Sequence, residues 1–204
     1  MFTSSDLVYA IPAIFISLVL HEATHAFVAH ALGDDTAQQA GRLTLNPLRH
    51  VDLYTTVILP IITILLFKFP VLIARPVPFD PLKVKFNEYG AAMVAVSGPI
   101  TNLVLAVIAA ILLHIFNFPI YALKFLFIFI EINVIFFIFN MIPIPPLDGS
   151  RLLYAFAPEG LQNTMMKIES FGYLTILAIF ILVFNFIYGP IDYCYMHIMN
   201  FLVS

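Results

Sequence analysis

Long apolar runs decide what this chain can become, and the first of them is interrupted by groups that lipid does not tolerate idly. From about Asp6 to Leu32 lie roughly 27 residues, enough to cross a bilayer core as a helix with some tilt. Hydrocarbon offers the backbone no hydrogen-bonding partner, so such a run must satisfy itself as a helix. Past its middle stands His21-Glu22-Ala23-Thr24-His25. Residues four apart project from one face of a helix, so His21 and His25 point the same way. Two imidazoles at that spacing can hold one zinc ion, and Glu22 between them is placed to take a proton from a water beside the metal. The same five-residue pattern arises by chance in soluble helices. Inside a lipid-spanning helix, histidine and glutamate are expensive and face a protein interior or water, which favours function.

Composition agrees with a membrane setting. Hydrophobic residues make up 62% of the 204 and charged residues 10%, with a mean hydropathy of +1.01. A soluble domain is about a quarter charged. The length suits a single domain, residues 1–204. A net charge of −3 with no basic run argues against nucleic acid. Cys194 is the single cysteine, so no internal disulfide and no thiolate cluster are available, and zinc must be held by nitrogen and oxygen. The first basic residue is Arg42, so the sequence predicts no cleavable signal peptide.

Beyond Gly33-Asp34-Asp35, which ends the first span, residues 36–51 are polar, and Gly41-Arg42-Leu43-Thr44-Leu45 alternates in the manner of a short strand. Residues 53–69 are apolar but short, with Pro60 in the middle. The prolines of Arg75-Pro76-Val77-Pro78-Phe79-Asp80-Pro81 exclude helix there and suggest an extended segment or edge strand. Tyr89 to Phe116 and Ile120 to Ile142 are further spans, divided by the turn Asn117-Phe118-Pro119. Residues 151–170 form a short amphipathic connection, Phe171 to Tyr188 a last span, and 191–203 an interfacial helix. The expected architecture is an all-α polytopic membrane bundle of about four to six transmembrane segments, with a re-entrant segment and short strands in the loops near the site.

The re-entrant expectation comes from charge. If residues 53–69 dip in and return, Arg42, Arg49, Lys68, Arg75, Lys83, Lys85, Arg151 and Lys167 share one side, and Lys124 alone belongs to the other. A full crossing splits the eight. Basic residues favour the cytoplasmic side, so the first arrangement is the better one. It also returns the end of the 120–142 span to the histidines' half of the membrane.

There, after Pro143-Ile144-Pro145-Pro146-Leu147, comes Asp148, the best third ligand. Irregular backbone at membrane depth is tolerated where it lines a cavity, and Gly149 permits close approach. Without the histidine pair, an Asp-Gly turn at a membrane surface would be the plainer reading. Glu131 is the rival carboxylate, but it lies on regular helix and is expected to pair within the bundle. His30 lies about 180° from His21 on an ideal helix and is expected to reach the interface. His50 reads as a loop or supporting residue, and His114 and His197 have no partner in the sequence.

His21-Glu22-Ala23-Thr24-His25, then Gly98-Pro99-Ile100-Thr101-Asn102, then Asn140 through Gly149 occur in the order seen in site-2 proteases, the M50 family of intramembrane zinc metalloproteases. The chain resembles the compact prokaryotic branch in Gly41 through His50 and Ala74 through Pro78, and the PDZ or CBS domains of some relatives are not expected in it. The resemblance covers about residues 15 to 155. It implies one zinc per chain on His21, His25 and Asp148, Glu22 as general base, and substrate contacts from Asn102 and Asn140. Interhelical hydrogen bonding is the competing use of both asparagines. It further implies regulated intramembrane proteolysis of single-span membrane proteins, signal-peptide-like remnants or anti-sigma factors, in a prokaryotic inner membrane with the site toward the cytoplasm. Two alternatives stand beside it. A membrane transporter or metal-permeation protein would not need Glu22 or the proline-loop aspartate, and a non-catalytic relative binding membrane partners would be expected to lose one of the four residues.

Overall fold

The computed structural model describes residues 6–50, 77–171 and 189–204. Three helices in it are long and apolar enough to cross a membrane: α1 (Leu7–Ala31), α3 (Asn87–Ile115) and α4 (Ile120–Asn140). Between α1 and α3 lie the short α2 (Thr36–Gln39) and a 3-10 turn at Pro47–Arg49. After α4 come α5 (Gly149–Phe156) and α6 (Glu159–Ser170), and residues 189–203 are helical again (α7). The amphipathic connection over 151–170 is thus two helices. The segment 53–69 and nearly all of the expected span 171–188 lie outside the described residues.

α1 stops where its sequence says it should. Gly33 takes φ +102°, its amide donates to the His30 carbonyl, and the Asp34 amide donates to Ala29, the glycine-terminated cap of a helix C-terminus. The same cap recurs at Gly41 (φ +66°) after α2, where the Gly41 and Arg42 amides donate to Gln38 and Ala37. It explains why Gly41–Leu45 are not the strand their alternation suggests. Arg42 is drawn back by the cap, while Asn46 begins the 3-10 turn by accepting from the Leu48 amide. No strand forms among the described residues. Residues 77–80 are non-helical as expected, without strand pairing.

The two ends of this excursion meet. The Lys85 amide donates to the Leu32 carbonyl at 2.9 Å, so the chain leaves α1 and enters α3 at the same end of the bundle. Phe86 and Asn87, both at positive φ, reverse it into α3. Helices α1 and α3 therefore run antiparallel, and α4, reached through the turn at Asn117–Pro119, runs the same way as α1. α3 packs against α1, α4 and α5.

Small residues line the buried faces of α1 and α3: Ala10 and Ala13 pack in one cluster with Ala106, Ala109 and Ala110, and Gly98 faces the His21 and His25 rings. Their bulky neighbours, such as Ile11, Phe15, Ile100 and Ile108, face outward. In water that arrangement would be inside out. In lipid, association is driven by close backbone packing rather than burial of large side chains, and it is the expected one. α4 supplies the bulk, with Ile128, Ile130, Ile132 and Val134 buried against Ala106, Ala109 and Ala110, and α7 adds Met199 and Leu202. Glu131 accepts a hydrogen bond from the Tyr195 hydroxyl of α7 at 2.8 Å, which meets the expectation that it pairs within the bundle.

Candidate metal centre

His21 and His25 sit one turn apart on α1, 5% and 9% exposed, with their rings edge to face and centroids 4.7 Å apart. Their Nε2 atoms are 3.1 Å apart. The Asp148 Oδ2 atom stands 3.1 Å from one and 3.4 Å from the other. A tetrahedral zinc ion with ligand bonds of about 2.0–2.1 Å holds its ligand atoms roughly 3.3–3.4 Å apart. These are the spacings of three ligands on one face of such a site, and the three residues are the metal-capable group found among the described residues. The chemistry of the oxygen supports the same fit: Asp148 Oδ2 is buried without a hydrogen-bond donor, and a buried carboxylate oxygen with nothing to accept is costly unless something else binds it.

Asp148 reaches the histidines because α4 and α1 run the same way and the chain turns tightly after α4. The Ile144, Leu147 and Ser150 amides donate to the Ile142, Ile144 and Leu147 carbonyls in succession. A Cβ on Gly149 would lie 2.4 Å from the Met141 carbonyl oxygen, so only glycine lets this loop fold back onto the end of α4 and carry its neighbour inward.

Each imidazole is oriented from behind. The His25 Nδ1 donates to the Val94 carbonyl at 2.7 Å. A carbonyl can only accept, so Nδ1 carries the proton and Nε2 keeps its lone pair facing the site. The His21 Nδ1 lies 2.6 Å from Asn102 Oδ1, the equivalent support from α3. Asn102 is fully buried, and its amide nitrogen is spent on Asn133 and the Ser17 carbonyl. Asn140, at the end of α4, donates to the Phe136 carbonyl and is partly exposed.

Gly98 takes a part that sequence reading missed. It faces both rings, and a Cβ there would lie 2.5 Å from His25 Nε2 and 2.7 Å from His21 Cε1. Its place four residues before Asn102, one turn along the same helix, was the available signal. Glu22 is 8% exposed and stands outside the ligand triad. Its Oε2 accepts from the Val77 amide at 3.0 Å, from the proline-rich segment. That segment is anchored in turn by Asp34, whose Oδ2 accepts from the Asp80 amide and whose Oδ1 accepts from the Thr36 amide and hydroxyl. His30 pairs with Asp35 at the exposed end of α1, His50 with the Thr44 carbonyl, His114 with the Ala110 carbonyl, and none approaches the triad.

Fold and site together define a polytopic membrane protein with a buried two-histidine, one-aspartate centre fit for zinc. The chain is 35% identical over 182 residues to "Putative zinc metalloprotease YwhC" of Bacillus subtilis, covering 85% of this chain and 80% of that one. It is 30% identical over 172 residues to "Putative zinc metalloprotease Rip2" of Mycolicibacterium smegmatis, where it spans 81% of its own length and 64% of the relative's. Rip2 of Mycobacterium tuberculosis is 28% identical over 171 residues. No family model matches the chain, and no solved structure does. The chain belongs to the site-2 protease family of zinc metalloproteases.

Proposed function

We propose that this protein is an intramembrane zinc metalloendopeptidase that hydrolyses peptide bonds of membrane-spanning substrates. The observation that carries the reading is the meeting of His21, His25 and Asp148 at mutual distances of 3.1–3.4 Å, with the Asp148 oxygen otherwise unsatisfied. His21 Nε2, His25 Nε2 and Asp148 Oδ2 would hold one zinc ion, which when bound makes water acidic near neutral pH and polarises a scissile carbonyl. Glu22 is not a ligand in this scheme. It accepts the proton of the attacking water and returns it to the leaving amine.

Val77 already donates to the Glu22 carboxylate, which holds that side chain in one place and leaves its other oxygen for the proton. Asn140 keeps its amide oxygen for a substrate backbone N–H, whereas Asn102 acts through His21. The site lies toward the end of the bundle where α1 finishes, the end that carries Lys83, Lys85, Arg42 and Arg151. The basic bias supports a cytoplasmic orientation. Entry and exit of residues 33–86 at that one end supports the re-entrant reading of 53–69. Substrates of this kind would be single-span membrane proteins or signal-peptide remnants in a prokaryotic inner membrane.

The test follows a tagged single-span substrate in liposomes with wild type and Glu22→Gln, with and without a chelator, beside metal analysis. Wild type should carry one zinc and cleave, and chelation should stop it. Glu22→Gln should keep its zinc and lose at least about 10²-fold in rate. Normal cleavage by Glu22→Gln would remove Glu22 as the base. Undiminished metal in a His21→Ala, His25→Ala double variant would remove the ligand set.

A further inference from the structure

Asn133 lies in the middle of α4, fully buried, with no contact to the three ligand atoms. We infer that it is a positioning residue for the metal centre, fixing through Asn102 which nitrogen of His21 faces the metal. The inference rests on the metalloprotease reading only in needing a metal at the site.

The argument is one of hydrogen-bond direction. The Asn133 Nδ2 atom lies 2.8 Å from the Phe129 carbonyl, which can only accept, so the amide nitrogen of Asn133 must point there. Its Oδ1 therefore faces Asn102, where it accepts from Nδ2 at 2.9 Å. The Ser17 carbonyl, 3.4 Å from the same Asn102 nitrogen, imposes the same orientation from α1. Asn102 Oδ1 is thereby turned to His21, 2.6 Å from Nδ1. An oxygen acceptor at that distance requires Nδ1 to carry the proton, which leaves the Nε2 lone pair toward His25 and Asp148.

Reversing the Asn102 amide would put an N–H against Nδ1 and favour the proton on Nε2, the nitrogen the metal needs bare. It would also set the Asn102 oxygen against two other oxygens, Asn133 Oδ1 and Ser17 O. Ser17, Asn102 and Asn133 are fully buried and His21 nearly so, which leaves little room for water to relax the arrangement. The polarity thus runs from a backbone carbonyl of α4, across α3, to a ligand on α1.

The test measures zinc affinity by chelator competition on the purified full chain, which needs no substrate. Asn133→Leu keeps the branched outline of the side chain and removes the acceptor, and affinity should fall about 10–100-fold, the usual effect of losing a ligand's supporting partner. Asn133→Asp, in its protonated form, donates to the Phe129 carbonyl and retains an oxygen toward Asn102, and should stay within a few-fold of wild type. A purely packing role would predict the reverse order of harm, since the buried carboxyl group is the worse guest in a helix bundle. If Asn133→Leu does not fold, Asn133→Thr carries the test. Its hydroxyl can serve the Phe129 carbonyl but falls short of Asn102, and the same loss is expected. Wild type binding zinc with Asn133→Leu or Asn133→Thr unchanged overturns this inference alone. Wild type binding none overturns both it and the metalloprotease reading.

Discussion

The two ends of the α1–α3 pair are built on one plan and filled differently. At one end Ala10 and Ala13 meet Ala106, Ala109 and Ala110, and the space beside them is taken by Ile128, Ile130 and Val134 from α4. At the other, Gly98 keeps α3 close to α1, but the space it leaves holds the rings of His21 and His25. The packed interior of the first end is apolar, with the Tyr195–Glu131 hydrogen bond and the Asp6–Lys124 ion pair at its margins. In the second every imidazole nitrogen facing away from the site has an oxygen acceptor, from Val94 or from Asn102. Small residues are thus a general device for close approach in lipid, and what fills the remaining room decides whether the result is a packing contact or a site.

Gly98 is the sharpest point on which to break this comparison. A methyl group there would sit 2.5 Å from His25 Nε2, well inside contact distance, so the ring or the helix must move. Overpacking of this kind costs about 1–3 kcal/mol, and here it falls on a ligand atom. Gly98→Ala should reduce zinc affinity roughly 10–100-fold, following from that cost at 1.4 kcal/mol per tenfold, while leaving the helical content unchanged by circular dichroism. Retained affinity would mean the histidines do not use the notch, and the two ends would differ only in polarity.

A smaller effect is expected at Asp34, which holds the proline-rich segment that reaches Glu22. Burial alone would raise its carboxyl. Hydrogen bonds from the Thr36 hydroxyl and the Asp80 and Thr36 amides, with the Lys83 charge, instead hold it below its ordinary value of 3.8. A carboxyl depressed on folding contributes stability that is fully present above the ordinary value and lost as pH falls through the lower folded one. Acid should therefore loosen this clamp only below about pH 4. Asn at this position cannot serve both sides, because one oxygen becomes an N–H facing another donor. Asp34→Asn should lower cleavage several-fold at neutral pH with zinc retained, by loosening the support of Glu22, and should flatten the acid limb of a thermal-stability profile. An unchanged profile would show that Asp34 does not carry the clamp.

What the sequence made legible follows the same division. Helices α1, α3 and α4 could be read almost to the residue, because long apolar runs in lipid have one solution and Gly33 and Pro119 mark their limits. His21, His25 and Asp148 could be nominated from spacing and from the proline-broken loop, and the ordered motifs of the family reinforced them. The strand expected at Gly41–Leu45 failed because alternation was the weaker local signal, and the Gly41 cap and the Asn46 turn on either side were stronger. Gly98 stood in the sequence only as the first residue of an ordered motif, and Asn133 and Asp34 passed without a role in the site. Their importance lies in contacts 31 to 81 residues away along the chain, between groups whose partners no local pattern names. Asn102 shows the limit well: the motif marks the residue, but only packing reveals that both ends of its amide are already engaged.

The apolar end supplies the last and smallest prediction. Ile130 is fully buried against α1, α3 and α7, yet it carries no polar partner and lies outside the chain of asparagines. Ile→Val in a water-soluble core costs about 0.5–1.5 kcal/mol, part from transfer out of water and part from the cavity left behind. In a bilayer the transfer part shrinks, since lipid tails are as apolar as the side chain, and the cavity part remains. Ile130→Val should therefore sit at the low end of that range, seen as a melting shift of a few degrees or less in detergent. Zinc affinity and cleavage should match wild type. If zinc affinity fell with Ile130→Val as it does with Gly98→Ala, packing at the apolar end would be transmitted to the ligands. The bundle would then be one mechanical unit, and the contrast between its ends would describe composition and not function.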